Sequence, residues 1–364
     1  MTPARARSGP VGVLASIALA TAVSVAACAS QFEASHRLDS VRILGARADK
    51  PYAKPGERVN VELLAFDARR EQPEPMQVFW IPIVCVNPPQ DLYYACFLPL
   101  AGAPDGGADG ASSPDAARPP DAGIPPSLGD FASRLQPGQD LSAFLARGPR
   151  FSFVMPPDAV STHKRVQGRD EEYGLAILFN IACAGRPVFA GFDATKGPQQ
   201  VPIQCVDRDG NPVRPEDYVF GLTRVYAYNT KTNANPVLER VTFDGVPIDP
   251  RSPVIVERCP EKDRMKCKDY KFDVEVPPAS WELNPPEIDA NGNTLHEQVW
   301  ASYYTTMGDF EGDARLVYDV RQGRVAGSEM KFKAPVEAQE GTMFVVLRDT
   351  RGGAAWQQIR IKSE

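Results

Sequence analysis

The residues with the most chemistry to offer are seven cysteines, whose thiols can be acylated, oxidised in pairs or used to bind a metal. Cys28 stands apart because it directly follows the only long apolar run, the 17 residues from Val11 to Ala27. Arg5 and Arg7 precede this run, and a basic head, an apolar middle and small final residues are typical of a secretory signal peptide. The alternative is a membrane-spanning anchor, but the run lies at the lower limit of length for a spanning helix. We therefore expect a signal peptide at residues 1–27.

The residues Val25-Ala26-Ala27-Cys28 resemble the lipobox of bacterial lipoproteins, in which an aliphatic residue and two small residues precede a cysteine. This resemblance implies lipidation at Cys28: the sulfur receives a diacylglycerol, the chain is cut before the cysteine, and the new amine is acylated. Val25 departs from the leucine that the family more often has. An ordinary signal-peptidase cut that leaves Cys28 as a spare thiol is the alternative. With two or more acyl chains, the membrane itself would be a stable partner of the protein.

Six cysteines are left when Cys28 is set aside, and an even number in an exported chain suggests disulfides. Pairing between sequence neighbours is the simplest arrangement and predicts Cys85–Cys96, Cys183–Cys205 and Cys259–Cys267. Structural zinc is the alternative, but the sequence has no C-x-x-C pair and its three histidines have no ligand-like spacing. We therefore expect no metal and no cofactor at these cysteines.

An acidic stretch that begins at Cys205 partly matches a calcium-binding loop. Four of its residues fall at the third, fifth, seventh and twelfth positions of the loop, namely Asp207, Asp209, Asn211 and Glu216. The first position is Cys205 instead of an aspartate, and prolines oppose the helix that should follow. A second acidic turn at 287–298 has a similar partial match. In both cases we favour the alternative, a hairpin turn built on Asp-Gly or Asn-Gly.

Signals of catalysis are absent from the sequence. It contains no nucleophile elbow, zinc-protease helix, phosphate-binding loop or dinucleotide fingerprint. His36 falls in a polar tether, and His163 and His296 fall in polar turns, so we expect these three side chains to be solvated. The formal net charge is −6 and no basic tract is present, which argues against nucleic acid as a partner. We predict no catalytic residue and no enzymatic activity.

The elements that would position these residues are mainly strands. The chain has 35 prolines, about twice the usual share, which disfavours long helices. Val59, Val61 and Leu63 alternate with polar residues, the period of a half-buried strand. This strand follows a Pro-Gly-Glu turn, and together they resemble the opening of bacterial immunoglobulin-like modules. Trp80, on the third predicted strand, is similar to the core tryptophan of these modules. The inter-sheet disulfide of antibody domains has no counterpart on the second strand.

The predicted fold class is all-β: two immunoglobulin-like β-sandwich modules, a disordered insertion and one or two short helices. A helix is expected near residues 141–145, where Leu141, Phe144 and Leu145 have helical spacing. The final hairpin at 341–364 resembles the last two strands of polycystic-kidney-type domains. The predicted organisation is a signal peptide at 1–27, a lipidated N-terminus and tether at 28–40, a first sandwich at 41–228 with a disordered Pro/Ala/Gly/Asp-rich insertion at 101–128, and a second sandwich at 229–364.

Taken together, the lipobox, the sandwich modules and the insertion resemble the envelope lipoproteins that myxobacteria and related bacteria make in large numbers. The resemblance implies an address in the cell envelope and no reaction. Ala29 is not the aspartate that retains enteric lipoproteins at the inner membrane, which favours the outer membrane. Our first hypothesis is an interaction or scaffolding protein with an envelope protein as its partner. The alternatives are a module that binds a surface polysaccharide or peptidoglycan, with or without calcium, and an envelope hydrolase.

Overall fold

The computed structural model describes residues 34–97, 134–164, 172–191, 201–260 and 264–364. The predicted signal peptide, Cys28 and the insertion predicted at 101–128 lie outside these ranges. The described part is an all-β fold, as the sequence predicts. None of its helices has the length and apolar character needed to span a bilayer.

The strands fall into two groups along the chain. The first group contains β1 Val41–Ala48, β2 Tyr52–Ala53, β3 Arg58–Asp67, β4 Gln77–Trp80, β5 Cys85–Val86, β6 Ala146–Arg147, β7 Arg150–Val154, β8 Gly174–Cys183, β9 Arg186–Phe189, β10 Ile203–Val206 and β11 Tyr218–Ala227. The second group contains β12 Arg240–Phe243, β13 Val246–Pro247, β14 Val254–Val256, β15 Asp269–Glu275, β16 Leu283–Ile288, β17 Thr294–His296, β18 Val299–Thr305, β19 Asp309–Phe310, β20 Ala314–Asp319, β21 Gly323–Arg324, β22 Met330–Lys333, β23 Gln339–Asp349 and β24 Ala354–Ser363.

Every pairing between these strands stays within its own group. The first group forms the sheets β1-β3-β7 and β2-β11-β8-β4-β6, with β5 also paired to β8, and the ribbon β10-β9. The second group forms the sheets β13-β12-β15-β22-β19 and β14-β24-β23-β18-β20-β21, and the ribbon β16-β17. The change from one group to the other falls in the strand-free segment 228–239.

Strand β8 organises the first group because it is buried on both faces. Leu175, Ile177 and Phe179 point to a core closed by two of the disulfides, whereas Ala176 and Leu178 point to the sheet that contains β3. A strand covered on both sides needs apolar residues at every position, which explains its nearly unbroken apolar sequence. The first group therefore has three layers.

Strand β18 shows the alternation that the sequence predicts for a strand buried on one face. Val299, Ala301 and Tyr303 are fully buried between the two sheets of the second group, and Trp300 on the other face is 39% exposed. The period of two follows from the pleat, which turns successive side chains to opposite faces.

The helix predicted near residues 141–145 is wrong. Leu141 and Leu145 are buried but Phe144 is 46% exposed, and the segment makes one turn in which the N–H groups of Phe144 and Leu145 both donate to the Leu141 carbonyl oxygen. Strand β6 then begins at Ala146, because pairing with β4 replaces a second helical turn. The one α-helix in the described ranges is α1, Ala159–Thr162. Short 3-10 helices occur at Pro89–Asp91, Tyr93–Cys96, Pro215–Asp217, Arg264–Lys266 and Pro278–Ser280.

Side chains join the two groups of strands, and residues 36–364 form one compact unit. The rings of Phe66 and Phe344 meet edge to face with their centroids 4.9 Å apart. The guanidinium of Arg47 lies 4.5 Å from the ring of Trp356. Asn235 joins both sides, since its amide donates to the Ala48 carbonyl oxygen (2.7 Å) and its amide oxygen accepts the Ala354 N–H (2.9 Å).

Candidate functional site: the N-terminal docking site

His36 is buried where the sequence predicts a solvated tether. It is 5% exposed, and its two ring nitrogens lie 2.9 Å from an Asp313 carboxylate oxygen and 2.7 Å from an Asp309 carboxylate oxygen. Both ring nitrogens therefore lie within hydrogen-bond distance of a carboxylate. The two contacts form a clamp that holds the start of the folded chain against β19 and the loop before β20.

Backbone hydrogen bonds continue this attachment. The Thr305 N–H donates to the His36 carbonyl oxygen and the Leu38 N–H donates to the Thr305 carbonyl oxygen, each over 2.8 Å. Arg37 thus pairs in parallel with Thr305 at the end of β18. Leu38 is 4% exposed and packs in an apolar cluster with Leu44 and Phe344. The segment predicted as tether at 28–40 is consequently part of the folded body from His36 onward.

A cavity of about 220 Å³ lies beside this segment. Arg37 and Arg70 line it, together with the Cys259–Cys267 disulfide, Met307 and Gly308. Residues 36–40, the His36 clamp and this cavity are called the N-terminal docking site below. It brings together residues from five separate stretches of the chain, and no local pattern in the sequence marks them as neighbours.

Mutation of His36 gives a direct readout of docking. We expect His36→Ala to abolish the hydrogen-exchange protection of the Leu38 and Thr305 N–H groups, because removal of the clamp frees the residues that accept and donate their bonds. Exchange measured by mass spectrometry on peptides covering 36–45 and 300–306 checks this. The matched control is His163→Ala, which removes an equally buried imidazole bonded to Asp91 and should leave both peptides protected. Unchanged protection in His36→Ala would contradict the clamp.

A buried charge cluster centred on Arg351 lies in the turn between β23 and β24. The Arg351 guanidinium contacts Glu282 and donates from Nε to Glu297 over 2.8 Å. Its guanidinium carbon also lies 5.7 Å from the ring of Tyr52, in the other group of strands. Glu297 is only 1% exposed, so its charge depends on these partners.

Two carboxyl groups at this cluster, Glu297 and Asp349, have raised pKa values. Burial, followed by the charge of Asp349, raises the pKa of Glu297 to about 7, against the lowering effect of Arg351. Burial also raises the pKa of Asp349. The structure gives Arg351 the role of holding two acidic side chains inside the protein, and stability should therefore depend on pH near neutrality.

The calcium candidates form a hairpin turn, the alternative that the sequence favours. One Asp207 carboxylate oxygen accepts the N–H groups of Asp209 (2.9 Å) and Asn211 (2.8 Å). These backbone hydrogen bonds lower the pKa of Asp207. Glu216 points elsewhere and forms an ion pair with Arg214. Among the described residues, no group of three or more His, Cys, Asp or Glu side chains is arranged to hold a metal ion.

The same turn recurs in the second group of strands. Asp289 accepts the N–H groups of Asn291 and Asn293, and Asp349 accepts those of Arg351 and Gly353. Each turn has an aspartate first and a glycine of positive φ fourth, namely Gly210, Gly292 and Gly352. The acidic character of these stretches is thus explained by backbone hydrogen bonding, which a short acidic side chain supplies locally.

The six remaining cysteines form three disulfides, paired as sequence proximity predicts. The bonds are Cys85–Cys96, Cys183–Cys205 and Cys259–Cys267. Their Cα separations of 5.3 to 6.0 Å lie within the usual range. Cys28, the predicted lipidation site, lies outside the described residues.

The other two histidines are also less solvated than the sequence predicts. The His163 side chain is 4% exposed and bonds to Asp91. His296 stacks on Trp281 with ring centroids 3.6 Å apart and bonds to the Trp281 carbonyl oxygen. Trp281, in a proline-rich stretch of the sequence, is partly buried and packs against the core of the second group. These contacts bury histidines in stretches that secondary-structure propensity alone predicts to be loops.

Comparison with known proteins assigns no family and no activity to this chain. No family model matches the chain, and no curated protein matches it. Among solved structures, the dimeric latent PorU from Porphyromonas gingivalis is similar at 10% identity, with a TM-score of 0.20, over 89% of this chain and 24% of that one. The chain therefore spans about a quarter of the length of PorU, and a likeness of this degree carries no argument about activity.

Proposed function

We propose that this chain is a non-catalytic lipoprotein of the cell envelope, anchored through Cys28 in the outer membrane, that acts in interaction or scaffolding. The observation that carries the proposal is the docking of residues 36–40 on the folded body. Cys28 lies eight positions before His36, so a lipid on its sulfur would be joined to the docked segment by a span of at most about 29 Å.

Rigidity of the folded body supports a scaffolding role. The His36 clamp fixes the start of the chain to the second group of strands, and Asn235 hydrogen-bonds to both groups. The Arg351 cluster and the ring contact of Phe66 with Phe344 join the groups at two further points. These contacts hold the two groups of strands together, so the surfaces of residues 36–364 keep a defined arrangement for a partner.

One of these surfaces fits a protein partner. Strands β13 and β14 are edge strands of the two sheets in the second group, and they border a groove of about 170 Å³. Val246 and Ile255 line it and are 66% and 48% exposed. The edge strand β14 offers unpaired backbone groups to a second strand, whereas β13 contributes the exposed Val246 side chain, since Pro247 has no N–H to donate. Exposed aliphatic side chains favour a peptide over a saccharide, which stacks on aromatic faces.

The experiment that tests the anchor is fractionation of cells that express the wild-type chain or Cys28→Ser. We expect the wild type in the membrane pellet and the variant in the soluble fraction, because the variant has no thiol to receive the diacylglycerol. Recovery of the variant with membranes would overturn the anchor. A serine variant of a paired cysteine, Cys96→Ser, is the control for loss of a sulfur alone and should still pellet.

Crosslinking in envelope fractions tests the role. We expect one protein to be captured in a stoichiometric amount by the wild type and to be lost from Val246→Asp. Val154→Asp is the control, because Val154 is similarly exposed on the edge strand β7 of the first group. Binding to a glycan array in place of protein capture would contradict scaffolding and favour the polysaccharide alternative.

A further inference from the structure

The groove between β13 and β14 combines an open backbone edge, an aliphatic lining and two nearby cations. We propose that it binds an extended, acidic segment of the partner protein, one residue of which pairs with Ile255 as a residue of an added strand would. The inference rests on the proposed function for the presence of a protein partner. It assigns to that partner a chemistry and a mode of binding.

The backbone of Ile255 faces away from the sheet to which β14 belongs. Strand β14 pairs in parallel with β24, where the Val256 carbonyl oxygen accepts the Glu364 N–H over 3.0 Å. Successive residues of a strand turn their backbone groups to opposite sides. The N–H and C=O of Ile255 therefore point away from β24, toward a strand that could be added there.

The open edge is limited to this residue. The next outward N–H, that of Glu257, donates to the Tyr270 hydroxyl over 2.8 Å, and Pro253 on the other side has no N–H. Ile255 thus offers one donor and one acceptor to an extended chain, and its neighbours do not support a longer ladder. Such a short edge disfavours indiscriminate strand pairing, so side chains must supply the rest of the recognition.

The lining of the groove favours an aliphatic side chain on the bound segment. Val246, Ile248, Val254 and Ile255 line it. Its volume of about 170 Å³ lies below about 300 Å³, the lower end of the range for sites that enclose small molecules. The groove is therefore better suited to side chains of a chain whose backbone lies on β14 than to a free small ligand.

Two arginines beside the groove set its charge preference. Arg251 and Arg360 are both exposed, and the Arg360 guanidinium donates to the Arg251 carbonyl oxygen. Arg251 Nε lies 3.7 Å from a carboxylate oxygen of Asp249, which lines the groove, whereas Arg360 has no ion pair with any residue that the structure describes. Two guanidinium groups thus share one carboxylate, and a carboxylate on the incoming segment can pair with the second.

Peptide binding to the mature chain carrying Cys28→Ser, which has no thiol to be acylated, tests the charge preference. The probes are a short fluorescent peptide of alternating valine and glutamate and its counterpart with lysine in place of glutamate. By fluorescence anisotropy at low salt, we expect the glutamate peptide to bind about tenfold more tightly, because each exposed ion pair contributes up to about fivefold. Arg251→Ala/Arg360→Ala should remove this difference. Arg150→Ala/Arg321→Ala, which removes two exposed arginines elsewhere, should keep it.

Ile255→Pro tests the pairing with β14, because proline removes only the outward N–H and is tolerated at such edge positions. The matched control is Ile255→Ala, which also shortens the side chain but keeps the N–H. We expect the glutamate peptide to bind about fivefold more weakly to Ile255→Pro than to Ile255→Ala, the loss that one hydrogen bond accounts for.

Equal binding of the two peptides by the wild type, or binding of neither, would overturn the acidic partner. Equal binding to Ile255→Pro and Ile255→Ala at matched melting temperatures would overturn the strand pairing, and the arginine variants still test the charge preference if Ile255→Pro does not fold. Self-association of the chain alone that Ile255→Pro removes would make a second copy the occupant and overturn the proposal.

The crosslinking experiment separates this inference from the proposed function. Capture of an envelope protein that is lost from Val246→Asp but retained by Ile255→Pro would overturn the pairing at Ile255 and leave the scaffolding role intact. Capture that neither variant changes would contradict the groove as the scaffolding surface.

Discussion

Arg351→Met is expected to lower the free energy of unfolding by about 3 to 5 kcal/mol at pH 8, because it leaves Glu297 buried without its cation. Glu297 is 1% exposed and accepts a hydrogen bond of 2.8 Å from Arg351. Methionine keeps the length and much of the volume of the arginine stem, so the loss reports charge more than packing. Urea denaturation of the mature chain with its disulfides intact measures the change. A loss below about 1 kcal/mol would contradict the account of the cluster.

The pH dependence identifies Glu297 as the cause. Its pKa is raised from the ordinary 4.5 to about 7, so the folded protein binds more protons than the unfolded chain between these values. The stability linked to Glu297 is therefore present below the lower value and is lost as the pH rises through the upper one. We expect the wild type to lose about 2 to 3 kcal/mol between pH 5 and pH 8.

Glu297→Gln and Arg351→Met should change the pH dependence of the unfolding free energy in opposite directions. Glu297→Gln should flatten it, because no carboxyl remains to titrate, while Glu340→Gln, whose side chain is 78% exposed, should not. Arg351→Met should steepen the slope, since Arg351 lowers the pKa of Glu297. A slope that persists in Glu297→Gln would assign the effect to another group, such as Asp349.

Removal of the central disulfide, by Cys183→Ala/Cys205→Ala, is expected to lower the free energy of unfolding by about 3 kcal/mol. Its cysteines are 22 positions apart, against 8 for Cys259 and Cys267, and a longer loop restricts the unfolded chain more. Cys183 and Cys205 are also buried, at 0% and 1% exposure. Chemical denaturation under oxidising conditions measures the loss.

Cys259→Ala/Cys267→Ala is the matched control for that prediction. It removes a disulfide of the same type from a shorter loop, and we expect it to destabilise the protein less. A larger loss in the control than in the central pair would contradict the argument from loop length.

Local sequence patterns predicted a large part of the fold. The alternation of Val299, Ala301 and Tyr303 follows directly from strand geometry, and these residues are buried on one face. The three disulfides join sequence neighbours, so counting and proximity were enough to pair them. The acidic turns were predictable because Asp207 and Asp289 bond to backbone groups two and four residues away.

Long-range partners explain what the sequence did not reveal. His36 looks like a tether residue because its carboxylates lie 273 and 277 positions away. Arg351 and Glu297 are 54 positions apart, and a turn sequence gives no sign that its arginine is buried. Leu141 and Leu145 have helical spacing, but a single turn is enough to bury both side chains. The chain then enters β6, because β4 is available to pair with it. Secondary-structure propensity depends on residues that are close along the chain. The docking site is built from residues that come together only after folding, so propensity could not predict it.

Lipidation at Cys28 is tested most directly by the mass of the N-terminal peptide of the mature protein, purified from envelopes and cleaved with a protease. We expect a peptide that begins at Cys28, with a diacylglyceryl group on its sulfur and an acyl chain on its amine. A mature chain that begins at another residue, or a Cys28 peptide with the mass of the unmodified amino acids, would contradict it.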